Sequence, residues 1–191
     1  VEYLSRALEL TEVMNENFSD ENGGFFIGSK DAEKLMVRAK FSYDSAIPSG
    51  NSVAVMNLFR LSKMTGNKKW TNLAEKTLKA FTDEAKQTPT GFAHMLTGFM
   101  FDLKEPKEVV VVANSYNSKT KTLVQKLKDN YCPNKVIIFK DLSNPKRLEE
   151  IAPWISDYSV IDNKPTFYIC EDFTCKGPTT NIKTVLNYLS V

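Results

Sequence analysis

The chain has 191 residues, of which 42% are hydrophobic and 25% are charged. This composition is typical of an ordinary globular protein and excludes the disordered and fibrous classes. Twenty-five Lys and Arg residues against 23 Asp and Glu give a formal net charge of +2. So small a charge creates no strong field for gathering nucleic acid or anionic lipid, so we expect neither nucleic acid nor a membrane as a partner.

The start of the chain and its cysteines indicate the cellular compartment that we expect for the protein. No apolar run approaches the roughly 20 residues that span a bilayer, and the first residue, Val1, opens neither a Met start nor a signal pattern. We therefore expect a cytoplasmic fragment, the C-terminal part of a larger protein. Cys132, Cys170 and Cys175 are too few for a secreted disulfide framework, so reduced thiols are the default expectation.

Helical periodicity dominates the first hundred residues. The predicted helices cover, in order, residues 4–18, 53–61, 70–85 and 92–103. A breaker cluster at 20–24 ends the first of them, and residues 36–43 are predicted to be extended or irregular chain that crosses a surface. We predict helical hairpins for residues 1–104.

The pattern changes after Pro106 to short β-branched runs. Residues 108–113, a helical stripe near 123–127 and residues 135–139 predict a β-α-β unit with parallel strands. A short helix after Asn144, a strand over 166–170 and a helix over 182–189 complete the list. We therefore predict an α+β chain in two parts, the second (105–191) being a small three-layer α/β module whose mostly parallel sheet has about three strands.

Three segments together resemble one protein family. They are Asp44-Ser45-Ala46-Ile47-Pro48-Ser49-Gly50-Asn51-Ser52, Pro133-Asn134-Lys135 and the run from Lys164 to Cys175. The family is the thioredoxin-domain family that includes the bacterial YyaL proteins and the spermatogenesis-associated protein of animals. The resemblance implies that an N-terminal thioredoxin domain is absent here. It also implies that residues 1–104 end an (α/α) toroid similar to sugar epimerases and six-hairpin glycosidases.

The resemblance makes a carbohydrate-like small molecule the expected ligand, and one junction has suitable groups. Asp44, Ser49, Gly50, Asn51 and Ser52 place a carboxylate, hydroxyls and an amide before a helix. The alternative is that the same side chains cap the helix and hold the preceding loop. Glycosidase chemistry needs two facing carboxyl groups, and no spacing pairs Asp44 with the remaining candidates, Asp20, Asp31 and Glu33.

The cysteines and the lone histidine give weaker hypotheses. A turn at Glu171-Asp172 is predicted to bring Cys170 near Cys175, which suggests either a redox pair or two inert, buried thiols. Two thiolates make a poor zinc site, so we expect no metal. His94 has no recognisable partner and is interpreted as a packed structural residue.

Two other features of the sequence concern the second half. The joint at 114–118 lacks the glycine that a phosphate-binding loop needs, so we expect no nucleotide cofactor. Lys164-Pro165-Thr166 is similar to the proline before a strand in thioredoxin folds, which raises the possibility of a degenerate thioredoxin-like unit without Cys-x-x-Cys. Trp70 is predicted to be core, and Trp154 to be partly exposed.

Two functions stay open at this point. In the first, the complete toroid binds or processes a carbohydrate-like molecule. In the second, the chain is a non-enzymatic docking module for its own thioredoxin domain or for another protein, and a cut toroid exposes apolar faces that would make the fragment self-associate.

Overall fold

The computed structural model describes residues 1–33 and 37–190. These residues form two compact units. The helical unit consists of Glu2–Ser62 and Asn67–Leu103. The α/β unit consists of Val1, Lys63–Gly66 and the chain from Lys104 onward. Among the described residues, no helix is both long enough and apolar enough to cross a bilayer.

The helical unit contains five α-helices in its described residues where the sequence predicts four, in the predicted order. They are α1 (Glu2–Phe18), α2 (Gly50–Thr65, whose last turn from Lys63 belongs to the α/β unit), α3 (Lys68–Ala80), α4 (Thr82–Gln87) and α5 (Ala93–Leu103). Its core is aromatic and aliphatic, with Phe59, Trp70, Phe92 and Phe101 each at most 2% exposed. The prediction that Trp70 is a core residue is confirmed.

The stripe over residues 70–85 forms two helices, so the prediction of a single helix there is wrong. Phe81 leaves helical geometry at φ −117° and ψ 10°, and α4 begins at the next residue. The Phe81 ring lies 2.8 Å from the position that a Cβ on Gly24 would occupy. The helix therefore breaks at the residue whose ring packs against Gly24 of another segment. Sequence periodicity cannot predict such a contact.

After Lys104, the described residues of the α/β unit contain four strands and three α-helices. They are β1 (Lys107–Ala113), α6 (Ser118–Asp129), β2 (Lys135–Asp141), α7 (Lys146–Ile151), β3 (Thr166–Glu171), β4 (Thr174–Cys175) and α8 (Ile182–Leu189). The strand order is β2-β1-β3-β4. The predicted β-α-β unit is present, since β1 and β2 pair in parallel with Val111 opposite Phe139.

The predicted mostly parallel sheet of about three strands is wrong, because the sheet is mixed and has four strands. β3 runs antiparallel to β1, and β4 runs antiparallel to β3. A two-residue turn at Asp172 and Phe173, both with positive φ (48° and 61°), adds β4. The elements of this unit follow the order β-α-β-α-β-β-α, and the thioredoxin-like unit that Lys164-Pro165-Thr166 suggests stays a prediction.

The core of the α/β unit lies against β1. All residues from Glu108 to Ala113 in this strand are buried, as expected for a central strand covered on both faces. Val109, Val111, Val124, Leu127, Phe167, Val185 and Leu189 form one apolar cluster. The ionisable side chain of Glu108 therefore belongs to a strand that is packed on both faces.

Candidate functional site

Asp44 connects two parts of the helical unit through backbone hydrogen bonds. Its Oδ1 accepts the N–H of Ser49 at 2.8 Å, and its Oδ2 accepts the N–H of His94 at 2.8 Å. Burial raises the pKa of this carboxyl, but hydrogen bonds from Ser49, Ser52 and His94 outweigh it, so the pKa lies below its ordinary value. Asp44 is thus an ionised acceptor whose two oxygens each hold one N–H group.

The polar side chains at the start of α2 also make internal hydrogen bonds. The Asn51 side chain accepts the Phe25 N–H at 2.7 Å and donates to the Phe25 and Phe41 carbonyls at 3.0 and 2.8 Å. Ser49 Oγ donates to the Ser42 carbonyl at 3.0 Å and lies 2.9 Å from Ser52 Oγ.

Burial separates the members of this candidate site. Ser49, Asn51 and Ser52 are buried, whereas Gly50 is exposed. Their hydrogen bonds are those expected if these side chains cap the helix and hold the preceding loop. Ligand binding here stays a prediction.

The other candidate carboxylates have separate surroundings. Asp20 binds Lys40 at 2.5 Å, and the Asn22 backbone N–H, followed by Lys40, lowers the pKa of its carboxyl. Asp31 and Glu33 are exposed. His94 is half-buried, and its backbone N–H donates to Asp44. The contacts of Asp20 and Asp44 are therefore structural in character.

An extended segment of the helical unit has an inverted polarity pattern. Residues 37–44 alternate between outward and inward positions, as expected for extended chain. The outward residues are apolar: Val37, Ala39, Phe41 and Tyr43. The inward residues are polar: Arg38, Lys40, Ser42 and Asp44. We name the outward set the apolar row.

The cysteine pair lies on the β3–β4 hairpin of the α/β unit. Cys170 and Cys175 face each other across the two strands, and their sulfurs form a disulfide. The predicted hairpin that brings them together is present, but its turn lies at Asp172 and Phe173 rather than at Glu171 and Asp172, because Glu171 still pairs with Thr174 in the sheet. The expectation of reduced thiols is wrong for these two residues and holds for Cys132. Spacing alone did not reveal the bond, because it depends on the two-residue turn.

An unpredicted cluster surrounds this disulfide. Glu108, 0% exposed, is the register partner of Cys170 across β1 and β3. Its Oε2 accepts the Phe173 N–H at 3.3 Å, and its Oε1 lies 3.6 Å from Lys63 Nζ. Burial raises the pKa of Glu108 to about 7, although Lys63 opposes the shift. An acidic residue inside an otherwise apolar strand was the signal available in the sequence.

Aromatic side chains and a second acid complete the cluster. The Tyr158 hydroxyl lies 2.7 Å from Cys175 Sγ and 3.7 Å from Cys170 Sγ. The Tyr158 ring stacks on Tyr168 at 4.2 Å between centroids. Trp154, half-buried as predicted, contacts the Phe173 ring edge-on. Asp172 binds Lys63 at 3.1 Å from the exposed side.

The joint at 114–118 is a helix cap. Asn117 accepts the Thr120 N–H at 3.0 Å, and the Thr120 hydroxyl donates to the Ser115 carbonyl at 3.1 Å. In residues 1–33 and 37–190, no three His, Cys, Asp or Glu side chains are grouped so that they would hold a metal ion.

Comparison with known proteins identifies homologues of this chain. No protein-family model matches the chain. Over 182 residues it is 32% identical to spermatogenesis-associated protein 20 of Homo sapiens, an alignment that covers 94% of this chain and 23% of that protein. The chain is a homologue of spermatogenesis-associated protein 20. The match lies in the C-terminal portion of that thioredoxin-domain-containing family, so the resemblance seen in the sequence is confirmed.

Two further relatives show the same coverage. Spermatogenesis-associated protein 20 of Rattus norvegicus is 31% identical over 182 residues, 94% of this chain and 23% of its own length. The uncharacterized protein B0495.5 of Caenorhabditis elegans is 23% identical over 183 residues, 95% of this chain and 24% of its own length. The chain therefore spans about a quarter of the length of the curated relatives it matches.

Proposed function

We propose that the chain works as a non-enzymatic docking part of a longer protein of this family. The apolar row of the helical unit packs against another segment of the same longer polypeptide. The observation that carries the proposal is the inverted polarity of residues 37–44. Binding of a carbohydrate-like molecule and docking to a thioredoxin domain of the same protein remain separate expectations.

The exposed side of the segment supports the proposal. Val37, Phe41 and Tyr43 are 76%, 64% and 57% exposed, and Ile47, close by in the sequence, is 75% exposed. Single exposed apolar side chains are ordinary, but a row of them on one side of a segment is typical of an interaction surface. Covering that row removes apolar area from water, which favours docking.

The inward side fixes which way the row points. Arg38 donates to the Gly28 carbonyl at 2.7 Å, Lys40 binds Asp20, and Ser42 donates to Glu84 at 2.9 Å. Turning the segment over would break these hydrogen bonds and leave the Gly28 carbonyl and the partly buried Asp20 carboxylate without these donors. The apolar row is therefore held outward by the contacts of its polar neighbours.

The length of the relatives supports the choice of occupant. The human relative is aligned over only 23% of its length, so most of its chain lies outside the matched part. A covering segment from the same polypeptide is present at high effective concentration and loses less entropy on docking than a separate protein does. The same surface left uncovered accounts for the predicted self-association of this chain on its own.

Hydroxyl-radical footprinting tests the proposal. At concentrations too low for self-association, we expect strong labelling of Phe41 and Tyr43 in this chain alone and protection of both in the longer natural protein. Phe59, 1% exposed, is the internal control and stays unlabelled in both. Equal labelling of Phe41 and Tyr43 in the two proteins would exclude the apolar row as an internal interface.

Sedimentation of the chain alone gives a second test. We expect concentration-dependent self-association that the double substitution Phe41→Ser and Tyr43→Ser abolishes. Tyr131→Ser, at a position 88% exposed in the α/β unit, is the matched control and leaves self-association unchanged. Association that persists in the double variant would contradict a role for the row.

A carbohydrate ligand is the second candidate, favoured by the exposed aromatic rings of Phe41 and Tyr43 beside Asp44. Aromatic side chains and a few polar groups are usual in ligand sites. A thermal-shift screen of the longer protein with mono- and disaccharides separates the two functions. A saturable shift that Tyr43→Ser removes supports a sugar site, and no shift with any sugar leaves docking as the proposed function.

A further inference from the structure

The hairpin disulfide has one accessible and one inaccessible sulfur. Cys170 is fully buried, whereas Cys175 is half-buried. Because a disulfide sulfur has no hydrogen, the Tyr158 hydroxyl donates to Cys175 Sγ at 2.7 Å. A nucleophile from solvent therefore reaches Cys175 first, and Cys170 is the sulfur that leaves.

Glu108 is placed on the same side of the sheet as the disulfide. Directly opposed residues of an antiparallel pair have Cβ atoms about 4.5–5.5 Å apart on one face, and Glu108 opposes Cys170. Its Oε1 is buried and makes no hydrogen bond in the described residues, its charged neighbour being Lys63 Nζ at 3.6 Å. Leaving a buried polar oxygen unsatisfied costs stability, which packing alone does not explain.

Charged and titratable groups face Glu108 from each neighbouring element. Lys63 comes from the last turn of α2 and Tyr158 from the chain before β3. The exposed Asp172 of the β3–β4 turn binds Lys63 at 3.1 Å. Lys63 is close enough, at 3.6 Å, to stabilise a carboxylate there. The surroundings therefore accept both the neutral and the ionised form of Glu108.

A purely structural role accounts for only part of this arrangement. The disulfide closes a hairpin that a two-residue turn already closes, and the stabilisation from a disulfide is smallest for short loops. That role also gives no reason for a buried acid beside the leaving sulfur. A proton donor at this position is useful only when the S–S bond breaks.

We propose that Cys170 and Cys175 form a thiol–disulfide exchange site for a dithiol, with Cys175 as the attacked sulfur and Glu108 as the proton donor to Cys170. One thiolate of the dithiol, having released its proton to solvent, attacks Cys175 Sγ. The S–S bond breaks, its electron pair goes to Cys170 Sγ, and Cys170 takes the proton of the Glu108 carboxyl group.

The second half of the exchange restores Glu108. The remaining thiol of the dithiol gives its proton to the Glu108 carboxylate, which Lys63 stabilises meanwhile. Its sulfur then displaces Cys175 Sγ, which takes a proton from solvent. The dithiol leaves as a disulfide, and two electrons and two protons have passed to the two cysteines. The Tyr158 hydroxyl stabilises the developing thiolates by hydrogen bonding.

Reduction of the folded chain by dithiothreitol tests this site. The protein carries Cys132→Ser, so that alkylation and mass measurement count only the pair. We expect no free thiol in the air-oxidised protein and two after reduction without denaturant. Two thiols already free in air, or a pair that reacts only in denaturant, would overturn the proposal.

The pH profile tests the role of Glu108. With the rate divided by the thiolate concentration of the reductant, the wild-type rate falls as Glu108 ionises, whereas Glu108→Gln gives a flat profile. At pH 6 we expect Glu108→Gln to be slower by about tenfold or more, as for loss of a general acid. Equal profiles for the two proteins refute the assignment.

One further variant is a control, and another tests the Tyr158 hydroxyl. Glu150→Gln changes an exposed carboxyl elsewhere in the α/β unit and keeps the wild-type profile. Tyr158→Phe removes the hydroxyl donor and lowers the rate at every pH without changing the shape of the profile. A Tyr158→Phe rate equal to wild type would remove the hydroxyl from the mechanism. Circular dichroism confirms that each variant is folded.

Discussion

Glu108 and Cys170 face each other across the antiparallel β1–β3 pair, one as a fully buried carboxyl and the other as a fully buried sulfur. The pairing places an acid whose burial raises its pKa to about 7 next to the Cys170–Cys175 disulfide. Both residues lie in central strands of a packed sheet, so the geometry is fixed by backbone pairing rather than by mobile loops.

Burial of Glu108 makes the stability of the chain depend on pH. Its pKa rises from 4.5 to about 7 on folding, so the folded state binds the proton more tightly. The stability contribution is full below pH 4.5 and is lost as the pH rises to 7, a loss of about 3 kcal/mol. Glu108→Gln removes this loss. We expect the free energy of unfolding of Glu108→Gln, relative to that of wild type, to be higher at pH 8 than at pH 4.

Urea denaturation at the two pH values measures that prediction. Both proteins are kept oxidised so that the disulfide does not contribute to the difference. Glu150→Gln, at an exposed position, is the control and should follow wild type at both pH values. If Glu108→Gln and wild type change stability equally between pH 4 and pH 8, Glu108 is not a strongly perturbed acid.

Asp44 makes an opposite contribution to stability. Its pKa is lowered in the folded state, so its stabilisation is present above its ordinary pKa and is lost as the pH falls through the folded value. Asp44→Asn replaces one acceptor oxygen by an NH₂ group that faces a backbone N–H. We expect a destabilisation of about 1–3 kcal/mol at pH 7 by urea denaturation. Asp31→Asn, at an exposed carboxyl, is the control; an equal effect there contradicts the bracing role.

The sequence predicts local structure well where one segment decides it. Helical stripes, the apolar run of β1 and the turn that joins the two cysteines all follow from side-chain spacing and residue type. The sequence does not predict the cluster of Glu108, Lys63 and Tyr158. These residues lie far apart in the chain, and only sheet pairing and packing bring them together.

The sequence also does not predict the direction of β3 or the existence of β4. Periodicity reports which face of a strand is buried but not its direction relative to its neighbour. β4 is only two residues long, too short to leave a pattern. At the Asp44 junction the sequence indicates polar side chains but not their hydrogen-bond partners, because Phe25, Phe41 and His94 come from separate segments.

A buried lysine stabilises the end of β2. Lys140 is 1% exposed, and its Nζ donates to the Ile155 and Ser156 carbonyls at 2.9 and 2.6 Å and binds Glu149 at 2.8 Å. Lys140→Met leaves these oxygens without their donor. We expect a loss of about 3 kcal/mol or more in urea denaturation. Lys146→Met, at an exposed lysine, is the control and should change stability by less than about 0.5 kcal/mol.

Gly23 is required for a close contact in the helical unit. Its φ is +97°, and a Cβ there would lie 2.3 Å from the backbone oxygen of Lys76, an atom fixed in α3. Gly23→Ala combines left-handed strain with a backbone clash, so we expect a destabilisation of about 2–4 kcal/mol. Gly28→Ala is the matched control, because a Cβ at that glycine meets no atom within 4 Å. Denaturation curves that shift equally for both variants would mean that the chain around Gly23 yields to the added methyl group.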